Sequence, residues 1–480
     1  MSTSPPNRRR RPYWLMPAFA ALILSPPAWA TMAVLACSVA LGVALSARRV
    51  ARARAAQAPT AGEGVALGVD ADGRQVVLSD QQLSAHGLIL GASGAGKSTT
   101  LLRILTDHVA RNRPVIAIDM KGSPSFAGEL EAAAKASGRP FALWSIDGPA
   151  HWNPLSHGNP TELKDRLIAT ERFSEPHYKR AAERYAQMAL GVLAQAHPGR
   201  PPTLAEVVTA LDPHRLPRLL RDLPRPLAER VQDYLTELTP DQVSAVKGLR
   251  TRLALLAESA AGPFLEPARD RGRQIDLRSA LSGDPVVVFS LNSSRYPGLA
   301  AQLGTMVIQD LVSATGERQA GANGAPLPQA LVGLDEFSAL GGDHLIALVA
   351  RGREPGLSVV FATQEFADME RAARGLRDQL VGNAAVKIIH RQDVPDSALT
   401  AAQLVGTHLV WERTIQTGPG VLGRYDTRRS SRRQVERFVI HPNQIKRLTT
   451  GEAILITKQP SAQTRAMRVR PPQRVDIELG

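Results

Sequence analysis

Residues 91–99, GASGAGKST, constrain this chain more than any other stretch. They follow the apolar run His86-Gly-Leu-Ile-Leu90 and precede TTLLRILTDHVA, whose apolar spacing is helical. Gly91, Gly96, Lys97 and Ser98 fit the pattern G-x-x-x-x-G-K-[ST] in the strand, loop and helix order that it requires. Glycines let the loop through Gly91, Ala92, Ser93, Gly94, Ala95 and Gly96 wrap with its N–H groups inward, and the following helix adds partial positive charge at its N-terminus. With Thr99 the stretch would cradle phosphates; Lys97 would reach the β- and γ-phosphates and the Ser98 hydroxyl would ligate Mg²⁺. ATP and Mg²⁺ are therefore the expected cofactors, the alternative being a glycine-rich turn that binds nothing.

At 480 residues the chain has room for two or three domains, and 44% hydrophobic residues make it globular. Its formal charge of +14 is uneven: residues 1–54 carry eight Arg and no acid, and residues 424–480 carry thirteen Lys or Arg against five acids. The middle is close to neutral, so each basic end has its own cause. The single cysteine, Cys37, allows no intramolecular disulfide, which suits a reducing compartment.

Arg8–Arg11 lead into YWLMPAFAALIL, then Ser25-Pro-Pro27, then twenty charge-free residues from Ala28 to Ala47 that end at Arg48-Arg49. That length spans a hydrocarbon core of roughly 30 Å. Arg on both flanks favours both ends in the cytoplasm, hence a tight hairpin turning at Pro26-Pro27, with Tyr13 and Trp14 at the interface. A single span behind an interfacial helix is the second reading. A signal peptide cleaved after Ala28-Trp-Ala30 is the third, opposed because it would export a nucleotide-binding domain to where there is no ATP. Residues 1–54 are thus read as a basic membrane anchor and 55–64 as a linker.

VALGVD and QVVLSD flank Ala71-Asp-Gly73 as a hairpin. After the phosphate loop, PVIAIDMKG and RPFALWSID alternate with helix-like SFAGELEAAAKASG, the signature of a parallel sheet covered by helices. Residues 160–262 break the alternation with five helical segments, Thr203 and Asp241 lying near helix starts. Strand-like DPVVVFSLN, PQALVGLDEF, LSVVFATQ and AVKIIH then resume. The fold class is α/β: a P-loop nucleotide-binding domain formed by 65–159 and 263–480, with an all-α insertion at 160–262.

LVGLDE ends in adjacent carboxylates. Asp335 would hold the Mg²⁺ shell and Glu336 would polarise the attacking water. Gln364, at the end of LSVVFATQ, is placed to sense the γ-phosphate or orient water, unless it merely caps a strand at the surface. Between these strands Arg351-Gly-Arg-Glu-Pro-Gly356 offers an arginine at the subunit edge, either a finger for a neighbour's nucleotide or an ordinary solvated side chain.

Taken together, GASGAGKST, IDMKG, HWNPL (His151–Leu155), LDEFSALG, GREPGLSVVFATQ and GNAAVKIIHR resemble the coupling proteins of bacterial type IV secretion and conjugation, the TraD/TraG-like branch of the FtsK/HerA P-loop ATPases. The resemblance covers about Val65 to Gly406, and GEAILITKQP is similar to the segment that closes such domains. It implies a RecA-like ATPase in which Lys97 and Ser98 form the Walker A pair, Asp335 and Glu336 the Walker B pair, Gln364 the sensor and Arg353 the finger. It further implies a homo-hexameric ring on the cytoplasmic face of the inner membrane. That ring would drive a relaxase bound to single-stranded DNA into a type IV channel. Family members often carry a longer periplasmic loop between two clear spans, and here almost none is left. Two rivals stand beside this expectation, a pump for double-stranded DNA and a docking receptor for protein effectors.

Overall fold

Strands that are apolar at every position need a sheet covered on both faces, and GLIL, VIAID, ALVGLD and LSVVFAT are such runs. In the computed structural model, which describes residues 64–472 apart from 172, 174, 222, 322–326, 341, 353–355 and 421–422, all four are buried throughout. The expected anchor and Arg353 lie outside the described residues.

The first segment holds β1 (Gly64–Val69), β2 (Gln75–Ser79), β3 (Gly87–Leu90), α1 (Lys97–Ala110), β4 (Val115–Asp119), α2 (Pro124–Ala136) and β5 (Phe141–Ser145). A helical stretch follows: α3 (Pro160–Ala169), α4 (Pro176–Ala196), α5 (Leu204–Ala210), α6 (Arg225–Thr236), α7 (Pro240–Ala257) and α8 (Leu277–Ser282). The chain returns through β6 (Val286–Ser290), α9 (Pro297–Gly321), β7 (Ala330–Asp335), α10 (Gly342–Gly352), β8 (Leu357–Thr363), α11 (Phe366–Ala372), α12 (Leu376–Asn383), β9 (Val386–Ile389) and α13 (Pro395–Val405). It closes with β10 (Thr407–Gly420), β11 (Gly423–Phe438), α14 (Pro442–Lys446), β12 (Glu452–Thr457) and β13 (Gln463–Val469).

The main sheet runs β2-β1-β13-β12-β9-β3-β8-β7-β4-β6-β5. From β9 to β5 every neighbour is parallel, and β12, β13, β1 and β2 extend it antiparallel. Alternation divides the core. Leu88, Leu90, Ile116, Ile118, Val332 and Leu334 pack with Leu303 and Val307 of α9. Ile89, Val115 and Leu331 pack with Leu101 and Leu105 of α1 and with Leu130 of α2. Gly333 sets how close α1 lies to β7, because a Cβ there would sit 2.9 Å from both Leu105 methyls.

The helices between β5 and β6 start at well-made caps. Asn159, Thr203 and Thr239 each accept a backbone N–H and are answered by Glu162, Glu206 and Gln242, which close capping boxes. Asp241 lies in the first turn of α7 behind the Thr239 cap. α4 is the hub, burying Tyr185, Leu190 and Leu193.

One buried polar cluster ties this helical layer to the sheet. Asp310 of α9, 1% exposed, accepts from Trp152 Nε1 at 3.1 Å and Arg278 Nη1 at 2.7 Å, and pairs with Arg166 of α3 at 3.2 Å. Arg166 is itself 1% exposed, so removing the carboxylate strands a buried cation. Asp310→Ala should cost about 3–5 kcal/mol of stability. Denaturant unfolding of the full-length protein in detergent tests this; a loss under about 1 kcal/mol would mean that the cluster is solvated like a surface pair.

β10 and β11 form a separate two-stranded sheet. Among the described residues no helix is long and apolar enough to cross a membrane.

Candidate nucleotide site

The loop after β3 turns into α1 with Gly94 at φ 71° and Gly96 at φ 112°, conformations that a side chain would strain. Its back is braced. Gly91 N donates to Gln364 O at 3.3 Å, Ala92 N to Arg391 O at 2.7 Å, and Gly451 N to Ala95 O at 3.0 Å. A Cβ on Gly91 would fall 2.6 Å from His390 Cβ. His390, fully buried, stands between α1 and β12: its Nδ1 donates to Glu452 O at 3.0 Å, leaving Nε2 to accept from Thr100 Oγ1 at 2.9 Å. Burial, with Lys97 adding to it, lowers this imidazole to about 4, so it stays neutral.

Lys97 opens α1, is 4% exposed and donates from Nζ to Ala92 O at 3.2 Å, curled back into its own loop. Burial, and then the charge of Lys121, lowers its ammonium below the ordinary lysine value. Ser98 Oγ donates to Asp335 Oδ2 at 2.6 Å. Parallel pairing of β4 with β7 sets Asp119 beside Asp335, while β3 and β7 flank β8. Strand order thus gathers residues that lie more than two hundred positions apart in sequence.

Glu336 has φ 58°, the left-handed region rarely used by glutamate. That turn aims its carboxylate between two partners. Gln364 Nε2 donates to Oε1 at 2.9 Å, and the Lys121 ammonium lies 2.9 Å from Oε2. Burial pulls Lys121 down, yet Asp335 and Glu336 outweigh it and hold the ammonium above its ordinary value. Asp119 accepts from Lys121 N at 2.9 Å and Ser123 N at 2.5 Å, fixing the turn that presents Lys121. Burial raises Asp119 to about 6.

The structure therefore brings Lys97, Ser98, Asp335, Glu336 and Gln364 into one cluster. Sequence reasoning leaves Lys121, Thr100 and His390 without a role. For Lys121 the available signal was IDMKG, a lysine two residues past the carboxylate that ends a buried strand. Its ion pair depends on β4 lying next to β7. Asp335 Oδ1 is buried with no hydrogen-bond partner among the described residues. An orphaned carboxylate oxygen beside a serine hydroxyl fits a hard, oxygen-seeking cation such as Mg²⁺.

Residues 329–450 match the family described as the TraM recognition site of TraD and TraG, and residues 47–126 match the FtsK/SpoIIIE family. Through these two segments the chain is similar to the TraD/TraG-like and FtsK/SpoIIIE P-loop ATPases. No curated protein matches this TraD/TraG-like chain in sequence. Among solved structures it is similar to the bacterial conjugative coupling protein TrwBdeltaN70, unbound, at 14% identity and a TM-score of 0.60, over 86% of this chain and 90% of that one. TrwB in complex with the ATP analogue ADPNP is similar at 15% identity and a TM-score of 0.59, over 87% and 92% of the two chains. VirB4 of Thermoanaerobacter pseudethanolicus follows at 16% identity and a TM-score of 0.56, over 86% and 97%. At these identities the likeness is one of fold.

Proposed function

We propose that this TraD/TraG-like ATPase is a membrane-anchored coupling protein that hydrolyses ATP with Mg²⁺ to recruit a relaxase–single-stranded DNA substrate and drive it into a type IV secretion or conjugation channel. The single observation that carries the reading is the cluster of Lys97, Ser98, Asp335, Glu336 and Gln364 at the C-terminal edge of neighbouring parallel strands. Ligands of open α/β sheets bind at that edge. TrwB, whose fold is similar, has been solved with ADPNP and with ADP and Mg²⁺.

In this reading the loop 91–96 and Lys97 hold the phosphates. Ser98 and Asp335 would hold Mg²⁺, which when bound offsets phosphate charge. Glu336 takes a proton from the attacking water, and Gln364 keeps its carboxylate turned inward. Lys121 neutralises Glu336 before nucleotide enters, and so restrains a base that has no substrate to act on. Residues 1–54 anchor the protein in the inner membrane, 55–64 link the anchor, and the domain formed by 65–159 and 263–480 carries 160–262 as an all-α insertion. Six copies close a ring in which Arg353 of one subunit completes the next subunit's site.

Turnover of the full-length protein in detergent tests the reading, measured alone, with single-stranded and with double-stranded DNA. Single strands should stimulate it most. Stimulation by duplex alone would favour the double-stranded pump, and no stimulation by either would favour the effector receptor.

A further inference from the structure

We propose that one face of the β10–β11 ribbon is a contact for single-stranded nucleic acid, with Arg413 and Arg432 gripping a phosphate and Trp411 stacking on a base. The proposal rests on the DNA-translocating reading above and gives it a surface.

The register separates two faces of opposite character. On one, His408 pairs with Arg437, Val410 with Val435 and Glu412 with Arg433. Here both arginines have an ion-pair partner, because Glu412 lies 3.2 Å from Arg433 and 2.5 Å from Arg437. On the other, Leu409 pairs with Glu436, Trp411 with Gln434 and Arg413 with Arg432. Among the side chains described on this face Glu436 is the acid, and it lies two pairs away from the arginines. Arg413 and Arg432 are both exposed, and neither has an ion pair among the described residues.

Like charges directly opposite one another destabilise an antiparallel pair. A phosphate between them replaces that repulsion with charge-assisted hydrogen bonds, for which the guanidinium fork is suited. Trp411, 67% exposed, is the next pair along the same face, beside Leu409 at 62%. Trp411, Arg413 and Arg432 also line a concavity of about 340 Å³, to which Glu412 contributes from the other face. Aromatic rings beside arginines on a strand face accept any base, since every base has a flat face to stack.

A two-stranded ribbon alone is marginal in water, yet these strands run for 14 and 16 residues apart from the main sheet. The ribbon gains from a partner that covers it. Residues 407–438 hold seven Arg and no Lys against three acids, which points to a polyanion.

The test uses the full-length protein in detergent and a fluorescein-labelled oligothymidylate, with affinity read by anisotropy across a salt series. Arg413→Gln/Arg432→Gln should weaken binding about tenfold or more at about 0.1 M salt and make the slope of log affinity against log salt shallower by about 1.4, as expected for two lost phosphate contacts on a single strand. Trp411→Ala should weaken binding roughly tenfold while Trp411→Phe keeps most of it, a contrast that follows stacking and not folding. Nucleotide affinity should be unchanged in all three. Wild-type affinity and slope in the double variant would overturn the proposal, and a loss of self-association with DNA binding intact would assign the face to a protein contact instead. If the parent chain itself fails to bind the oligonucleotide, the DNA-translocating reading falls along with it; if the parent binds and the variants bind equally, only the ribbon proposal falls.

Discussion

Glu336→Gln should bind ATP about as tightly as the parent chain and hydrolyse it about 10²–10⁴-fold more slowly, the range over which a positioned general base acts. The change is isosteric, so the backbone turn at φ 58° is kept and only the proton-accepting charge is lost. The amide also fits its surroundings less well, because Gln364 and Lys121 both point donors at this carboxylate and an amide offers one oxygen to the pair. Lys97→Ala should fail one step earlier. If its buried ammonium is the point charge on the phosphates, nucleotide affinity should fall and turnover should fall with it. Equilibrium binding of a fluorescent ATP analogue, set beside phosphate release, separates the two. ATP affinity unchanged in Lys97→Ala would sink the phosphate-loop assignment, and turnover within tenfold of the parent in Glu336→Gln would remove that residue from the chemistry.

The second large effect is expected at Arg353. If its guanidinium meets transition-state charge in a neighbouring subunit's site, Arg353→Ala should retain ATP and lose turnover by about a thousandfold or more. A finger acting across a boundary makes a sharper demand. Neither Arg353→Ala nor Glu336→Gln hydrolyses alone, but a mixture that exchanges subunits should recover activity, because some interfaces pair an intact Glu336 with an intact Arg353. Two defects inside one site cannot repair each other. The measurement is turnover of mixed purified variants with DNA present, after mixed assemblies have been demonstrated. No recovery under those conditions would place Arg353 in cis or at a solvated surface.

The candidate site was legible in sequence where its proposed chemistry is carried by neighbours along the chain. Phosphate binding needs glycines, a lysine and a hydroxyl within nine residues, so GASGAGKST declares itself, and a buried strand ending in Asp335-Glu336 is nearly as plain. Apolar runs long enough only for strands, alternating with helical spacing, likewise announced a parallel sheet. The anchor reading rests on charge-free length and flanking arginine alone, and its residues lie outside the described ones.

Other features depend on which elements become neighbours, and no local pattern encodes that. The pair formed by Lys121 and Glu336 exists because β4 lies against β7, so that a charge after one strand meets a charge after the other. His390 is just the end of an apolar run until β9 settles beside β3 and places it under Thr100. β1 is joined in the sheet by β13 from the far end of the chain, a pairing made by backbone groups that every residue carries alike. In residues 424–480 the arginines read only as a basic tail. Register decides which of those in the ribbon pair with Glu412 and which, Arg432, faces Arg413 instead, because a strand's side chains alternate and one step of pairing would move each to the opposite face.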